Sequence, residues 1–426
     1  MVAPRRVPHR LAAAAAVIAL IGTSTACTSE PDPPPPGPDE SAPIELAWRE
    51  LTLPPPPAGT RIVLAAAAVC DGRWYLVGGH DLLGETPDEE WLGTDDSMDP
   101  AAWTSRDGEA WTALPVAAHS YYGVRSLLWE AACRDGTLVA LGGKVGGAHG
   151  NPRMASYFPT RAADGTETLT EVSASFELYG GPNATNVGRM TAGPPGYLIV
   201  GNRATGAAVW LSPTGETFEI VENAPVLADS PERATWAADA AFHDGEWVVV
   251  GSVVLTGHAD RDPAAWRSPD GRTWTAMPAE ATAEYDELNV VAPAAGTLTA
   301  VGTHGSTFRA WRLEPDGWVA RGRFGSTRVE PREGRLTGAS PVGLAGAGDH
   351  LVAVVKAGWT YELWASTDAG TTWRPVTPPR DMPADGDQRA AIVGVPGAGG
   401  DPDRVLLVID DGRTAHAYVA PVTGPQ

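Results

Sequence analysis

The stretch Ser366-Thr367-Asp368-Ala369-Gly370-Thr371-Thr372-Trp373 decides the fold. Its Ser and Asp side chains are spaced to bond the backbone of their own turn, its Gly supplies a positive φ, and its Trp can pack beneath. Such a turn joins two strands, and the residues before it, Leu363-Trp364-Ala365, read as the end of one. Two versions one residue shorter occur earlier, Ser105-Arg106-Asp107-Gly108-Glu109-Ala110-Trp111 and Ser268-Pro269-Asp270-Gly271-Arg272-Thr273-Trp274. Ser212-Pro213-Thr214-Gly215-Glu216-Thr217-Phe218 and Glu314-Pro315-Asp316-Gly317-Trp318 are degenerate copies. In each Ser-Asp-Gly-Trp copy the role expected of Ser105, Asp107, Gly108 and Trp111, of Ser268, Asp270, Gly271 and Trp274, and of Ser366, Asp368, Gly370 and Trp373 is that of a hairpin staple.

Around these turns a longer unit repeats. An apolar run, a turn centred on Gly and a second apolar run, often closing on Gly, recur at Trp74 to Gly79, Leu138 to Gly143, Tyr197 to Gly201, Trp247 to Gly251, Leu298 to Gly302, Leu351 to Val355 and Val405 to Ile409. The aligned ends are 50 to 64 residues apart, room for four short strands per unit, and seven such units predict an all-β fold, a single seven-bladed β-propeller of four-stranded antiparallel blades. Ile44 to Leu53 reads as a lone outer strand, and the last unit, ending near Pro421, lacks one. The N-terminal strand is therefore expected to complete the seventh blade, which leaves no open sheet edge at the seam.

The Ser366–Trp373 stretch resembles the Asp-box of the bacterial neuraminidase (BNR) repeat residue for residue, which identifies the propeller as similar to that of sialidases. The resemblance places these turns on the face away from an active site. It also implies an arginine that grips a carboxylate at the start of the first blade. Here Arg61-Ile62-Val63 stands where the family has Arg-Ile-Pro. Further roles implied by the resemblance fall on Arg189, Arg233 or Arg335 as carboxylate-binding arginines, on Asp95, Asp96 or Asp99 as the acid, and on Tyr285 beside Glu287 as the nucleophile. No flanking motif fixes them, and fold alone does not carry activity.

The N-terminus reads as an address. Arg5, Arg6 and Arg10 precede an apolar run, Leu11 to Ile21, too short for a permanent membrane span, and small residues lead to Cys27. This resembles the lipobox of bacterial lipoproteins, with Ser24 in place of the usual Leu, and implies lipid on Cys27. Residues 28 to 43 hold seven prolines and should extend as a polyproline tether of about 50 Å. The expected organisation is a signal peptide over 1–26, a lipidated Cys and tether over 27–43, and the propeller over 44–426, anchored on the extracytoplasmic face of the cell membrane.

The chain carries a net charge of −21, and without its first 26 residues 28 basic groups face 52 acidic ones, a net −24. Nucleic acid and anionic headgroups are thus poor partners for the folded part. With Cys27 acylated, Cys70 and Cys133 remain as an even pair in an oxidising compartment. They occupy matching places in adjacent units, where a disulfide and two small buried thiols are both open readings.

Candidate chemistry is sparse. The acidic loop Gly79 to Ala102 has no EF-hand spacing, and His80, His119, His149 and His243 have no zinc spacing. Arginine precedes the first strand of six units, at Arg61, Arg125, Arg189, Arg233, Arg335 and Arg389. In matching registers these six would ring one mouth of the channel, as salt bridges or as an anion site. The expected function is a monomeric, membrane-anchored, non-catalytic module for an extracytoplasmic protein or glycan ligand, with no cofactor and no metal. The alternative, from the resemblance, is an exo-sialidase.

Overall fold

A computed structural model describes residues 42–83, 97–144, 153–332, 335–397 and 401–422. Seven sheets stand around one axis, and each blade is a meander of neighbouring antiparallel strands. The innermost strands are Thr60–Cys70, Leu127–Arg134, Ala184–Gly193, Arg233–His243, Asp286–Ala294, Ala339–Ala347 and Arg389–Val395, for blades 1 to 7. The second blade gains a fifth strand, Val116–Ala117, laid parallel on its outer edge. Cys27 and nearly all of the tether lie outside the described residues, as do Asp95, Asp96, His149 and most of the acidic loop.

The apolar core is distributed over the seven joints between blades. Leu198 and Val200 of blade 3 meet Trp247 and Val249 of blade 4, and Tyr75 and Val77 of blade 1 meet Leu138 and Ala140 of blade 2. At the seam Leu406 and Val408 of blade 7 pack with Leu64, Trp74 and Leu76 of blade 1, so the closing joint is built like the others. Strands in a propeller are buried on both faces, which explains why the second strands read as continuous apolar runs rather than alternating ones.

Closure runs through the N-terminus. Arg49–Glu50 pairs antiparallel with the last strand, Ala415–Pro421, in the register Arg49↔Val419 and Glu50↔Tyr418. The paired part is shorter than the Ile44–Leu53 run suggested. Ile44 instead bridges to Val376 on the outer edge of blade 6, and the Trp48 indole donates to the Thr377 carbonyl. The N-terminal segment therefore clasps two blades.

The recurring Gly has a specific cause. Six of the seven inner strands carry a bulge at the same place, between Leu64 and Ala66, Leu128 and Glu130, Val187 and Met190, Ala237 and Asp239, Leu288 and Val290, and Pro341 and Gly343. In the first five, the residue before the bulge pairs with the repeated Gly. A Cβ on Gly78, Gly251 or Gly302 would stand 1.9, 1.8 or 1.7 Å from the carbonyl oxygen of Val63, Trp236 or Glu287. The inner backbone approaches so closely there that only Gly fits. Blade 7 has no bulge and carries Ile409 at the matching place.

The Ser-Asp-Gly-Trp turns hold themselves. Asp368 Oδ1 accepts from the Ser366 hydroxyl at 2.8 Å and from Thr372 N–H at 2.8 Å, Gly370 N–H donates to Ser366 Oγ at 2.8 Å, and the Trp373 indole donates to the Gly370 carbonyl at 3.1 Å. Gly370 sits at φ 94° and the additional residue of this copy, Ala369, at φ 54°. Asp107 is drawn down to about 2 by the N–H groups of Ala110 and Glu109 and the Ser105 hydroxyl, and Asp270 to about 2 by those of Thr273 and Arg272. The Glu314–Trp318 stretch differs. Gly317 already belongs to the fourth strand, Gly317–Phe324, so the hairpin is tight and its outer strand is long.

Candidate functional site

Inner strands begin, and second strands end, at one face of the ring, so that face carries the loops between second and third strands and the linkers between blades. The Ser-Asp-Gly-Trp turns join third to fourth strands and therefore lie on the opposite face. Small residues crowd the axis because seven strands converge there: Ala65, Ala66, Ala67, Gly343, Ala390 and Ala391 all belong to inner strands. Between them lies a cavity of about 250 Å³.

Four charged groups line this cavity: Glu130, Arg189, Asp239 and Arg389. Glu130 and Asp239 each follow the bulge of their inner strand, and Arg189 lies within the bulge of blade 3, so the bulge turns all three toward the axis. Arg189 spans the channel, donating through Nη2 to the Val342 carbonyl of blade 6 at 2.5 Å and standing 3.8 Å from Glu130 Oε1 through Nη1. Burial pushes the Glu130 carboxyl up to about 7; Arg189 opposes the rise and Asp239 adds to it. Burial also raises Asp239, against Arg189 and the N–H groups of Val291 and Ala240 that donate to it at 3.0 and 2.8 Å. Trp129, Tyr361 and Arg389 complete the wall. The arrangement can hold a polar or charged group and exchange a proton with it near neutrality. Among the described residues no Ser, Thr or Cys lines it.

The six arginines do not share one register. Arg61 donates to Asp81 at 2.8 Å and to Asp410 at 3.2 Å, before the bulge of blade 1. Arg125 lies in a short 3₁₀ turn with its guanidinium over the Tyr121 ring, Arg233 donates to the Val226 carbonyl at 3.0 Å, and Arg335 pairs with Asp385 at 3.0 Å in the linker ahead of blade 6. Only Arg189 and Arg389 line the axial cavity. Arg189 lies within its bulge, whereas Arg61, Arg125 and Arg233 stand three or four residues ahead of theirs, so an offset of several residues along the chain separates the inward arginine from those held at the rim.

Of the residues singled out from the sialidase resemblance, Tyr285 and Glu287 do meet, with Oη to Oε2 at 3.0 Å. Burial and the Glu287 charge push Tyr285 up to about 12, and Arg261 partly opposes this. Asp99 is exposed and faces the His80 edge of blade 1. Neither Tyr285 nor Asp99 lines the axial cavity.

The two axial acids were not among the candidates drawn from the sequence. Their signal was present, since Glu130 in Leu127–Arg134 and Asp239 in Arg233–His243 are each the lone acid of an inner strand, set in its apolar middle and followed by Ala-Ala. Cys70 and Cys133 form a disulfide across the joint of blades 1 and 2, with Cα atoms 5.8 Å apart, and beside it Gly136 N–H donates to Asp71 Oδ2 at 2.7 Å. Among the described residues no three His, Cys, Asp or Glu side chains converge as metal ligands.

The chain is a seven-bladed β-propeller. No protein-family model and no curated protein matches it. Among solved structures it is similar to a Trypanosoma rangeli sialidase in complex with sialic acid, at 14% identity and a TM-score of 0.41, over 89% of this chain and 60% of that one. It is similar also to the β-propeller domain of the trilobed protease from Pyrococcus furiosus, at 10% identity and a TM-score of 0.43, over 87% of this chain and 95% of that one. A third is the α-L-arabinofuranosidase of Fusarium graminearum, at 13% identity and a TM-score of 0.39, over 87% and 97%. The chain spans 60% of the length of the sialidase it matches. Likeness at this level carries no argument about activity.

Proposed function

We propose that this chain is a membrane-tethered, extracytoplasmic propeller that binds a protein or glycan ligand, without catalysis, at the mouth of its axial cavity. One observation carries the reading. The cavity gathers Arg189, Glu130 and Asp239 from three blades, while the groups a sialidase would bring together are dispersed: Arg61 is tied to Asp81 and Asp410, Arg335 to Asp385, and Tyr285 stands outside the cavity. The tether rests on the sequence: three arginines, an apolar run, small residues up to Cys27, and the seven prolines that follow.

A second reading, a sialidase-like glycoside hydrolase, is favoured by the Tyr285–Glu287 hydrogen bond alone. One experiment separates them. The exported protein is fractionated with and without Cys27→Ser, and the membrane-bound form is assayed with a fluorogenic sialoside. Loss of Cys27 should release the protein from membranes or block its maturation, and the sialoside should stay intact. Turnover abolished by Tyr285→Phe would establish the enzyme instead; unchanged membrane partitioning of the Cys27 variant would remove the anchor.

A further inference from the structure

A second cavity opens on the loop-bearing face, away from the axis. It encloses about 400 Å³ between residues 119–122, 153–155 and 171–180, at the junction of blades 2 and 3, with Tyr179 buried in its wall. That volume falls within the roughly 300–1,000 Å³ of small-ligand clefts.

Its charges are unequal in their freedom. Glu171, 5% exposed, is fully occupied: it accepts from His119 N–H at 2.6 Å, from Ser120 N–H at 2.9 Å and from the Ser120 hydroxyl at 2.5 Å. Its carboxyl is accordingly held below the usual range: burial works against this, and the bonds from Ser120 and His119 outweigh it. Arg153 has no such partner. Its guanidinium lies 4.3 Å from the Phe176 ring centroid and 5.6 Å from that of Tyr122, and it makes no ion pair among the described residues. In a folded part, residues 44–426, with 48 acids against 28 bases, an arginine held between two rings and left without a carboxylate among the described residues is an unusual arrangement.

The rest of the wall has the character of a sugar site. Tyr122 and Phe176 remain 36% and 52% exposed. Ser175 stands at the N-cap of the four-residue helix Phe176–Tyr179 without bonding its backbone, so its hydroxyl is open, and Ser173 Oγ lies 3.0 Å from His119 Nε2. Aromatic surface suits the C–H face of a pyranose, the hydroxyls suit its O–H groups, and the guanidinium edge suits a planar carboxylate.

From this geometry we infer that the cavity binds a carboxylate-bearing sugar of the hexuronate class, with Arg153 gripping the carboxylate and Tyr122 and Phe176 flanking the ring. This site is separate from the axial one. The test is a ligand-observed NMR titration of the full chain in detergent with D-glucuronate and D-galacturonate, using D-glucose and D-galactose as neutral counterparts. The uronates should bind at least about tenfold more tightly than the neutral sugars, and Arg153→Ala should weaken them at least about tenfold. Because Arg153 also stacks on Phe176, Arg153→Lys is the companion variant: it keeps the charge, loses the fork, and should still weaken binding at least about threefold. Phe176→Ala should cost about fivefold. Equal affinity for glucuronate and glucose, or no measurable uronate binding, overturns the inference. So does binding that survives Arg153→Ala and disappears with Arg189→Ala, since that places the sugar in the axial cavity.

Discussion

Arg61 of blade 1 donates to Asp410 of blade 7 at 3.2 Å, across the joint at which the ring closes and 349 residues away along the chain. Asp410 is fully buried, also accepts from Leu64 N–H at 3.3 Å and Gly412 N–H at 2.8 Å, and is raised by its burial against the pull of these donors and of Arg61. The same guanidinium reaches Asp81 in its own blade, so one side chain ties both walls of the seam. Removing it strands a buried carboxyl. Arg61→Ala should lower stability by about 3 kcal/mol, and adding Asp410→Asn should restore part of that loss. Urea melts of the two variants and the parent measure this; an unaltered midpoint for Arg61→Ala would exclude the seam role.

The Gly251 position has no room for a methyl group, with the Trp236 carbonyl oxygen 1.8 Å from where a Cβ would stand. Gly251→Ala should destabilise by about 2–4 kcal/mol or prevent folding, because backbone rather than a flexible side chain must move. Gly338, where a Cβ meets nothing within 4 Å, is the control. Gly338→Ala should change the thermal midpoint little.

Glu130 titrates near neutrality in the folded chain, pushed up to about 7 from 4.5. A carboxyl raised on folding stabilises fully below its unfolded value, and that contribution is lost as pH rises through about 7. Melting temperature should therefore fall between about pH 5 and about pH 8, and Glu130→Gln should flatten this slope. A carboxyl carbon NMR titration with a midpoint near 4.5 would contradict the burial argument.

The Cys70–Cys133 bond closes a loop of 63 residues between the first two blades. Replacing both with Ser should cost on the order of 4 kcal/mol by chain entropy. Digestion without reduction, followed by mass spectrometry, should recover the linked peptides. Two alkylatable thiols in protein purified under non-reducing conditions would exclude the bridge.

Asp368 is held down by Thr372 N–H, the Thr372 hydroxyl and the Ser366 hydroxyl, against a burial that would raise it. Its contribution is present above its unfolded value and is lost as pH falls through the lower folded one. Asp368→Ala should cost about 1–2 kcal/mol at neutral pH and leave ligand binding intact, since the turn lies on the face away from the cavities. Paired melting and binding measurements check both halves.

The sequence by itself determined the architecture. Seven copies of a Gly-closed apolar run, the Ser-Asp-Gly-Trp turns and the spare N-terminal strand are local signals, because each records a backbone conformation or a burial pattern set within a few residues. They specified the blade count, the place of closure and the matching places of Cys70 and Cys133. Only the tertiary structure decided which side chains face one another. Arg61 and Arg189 look alike in the linear repeat, but a bulge and an offset of a few residues put one on a buried carboxylate at the seam and the other across the channel. Glu130 and Asp239 became a site only when converging strands buried them beside a shared arginine, and Arg153 only when three separate segments folded around it. Strand alternation reverses with every single-residue shift, so repeat spacing fixes where a strand lies before it fixes where a side chain points.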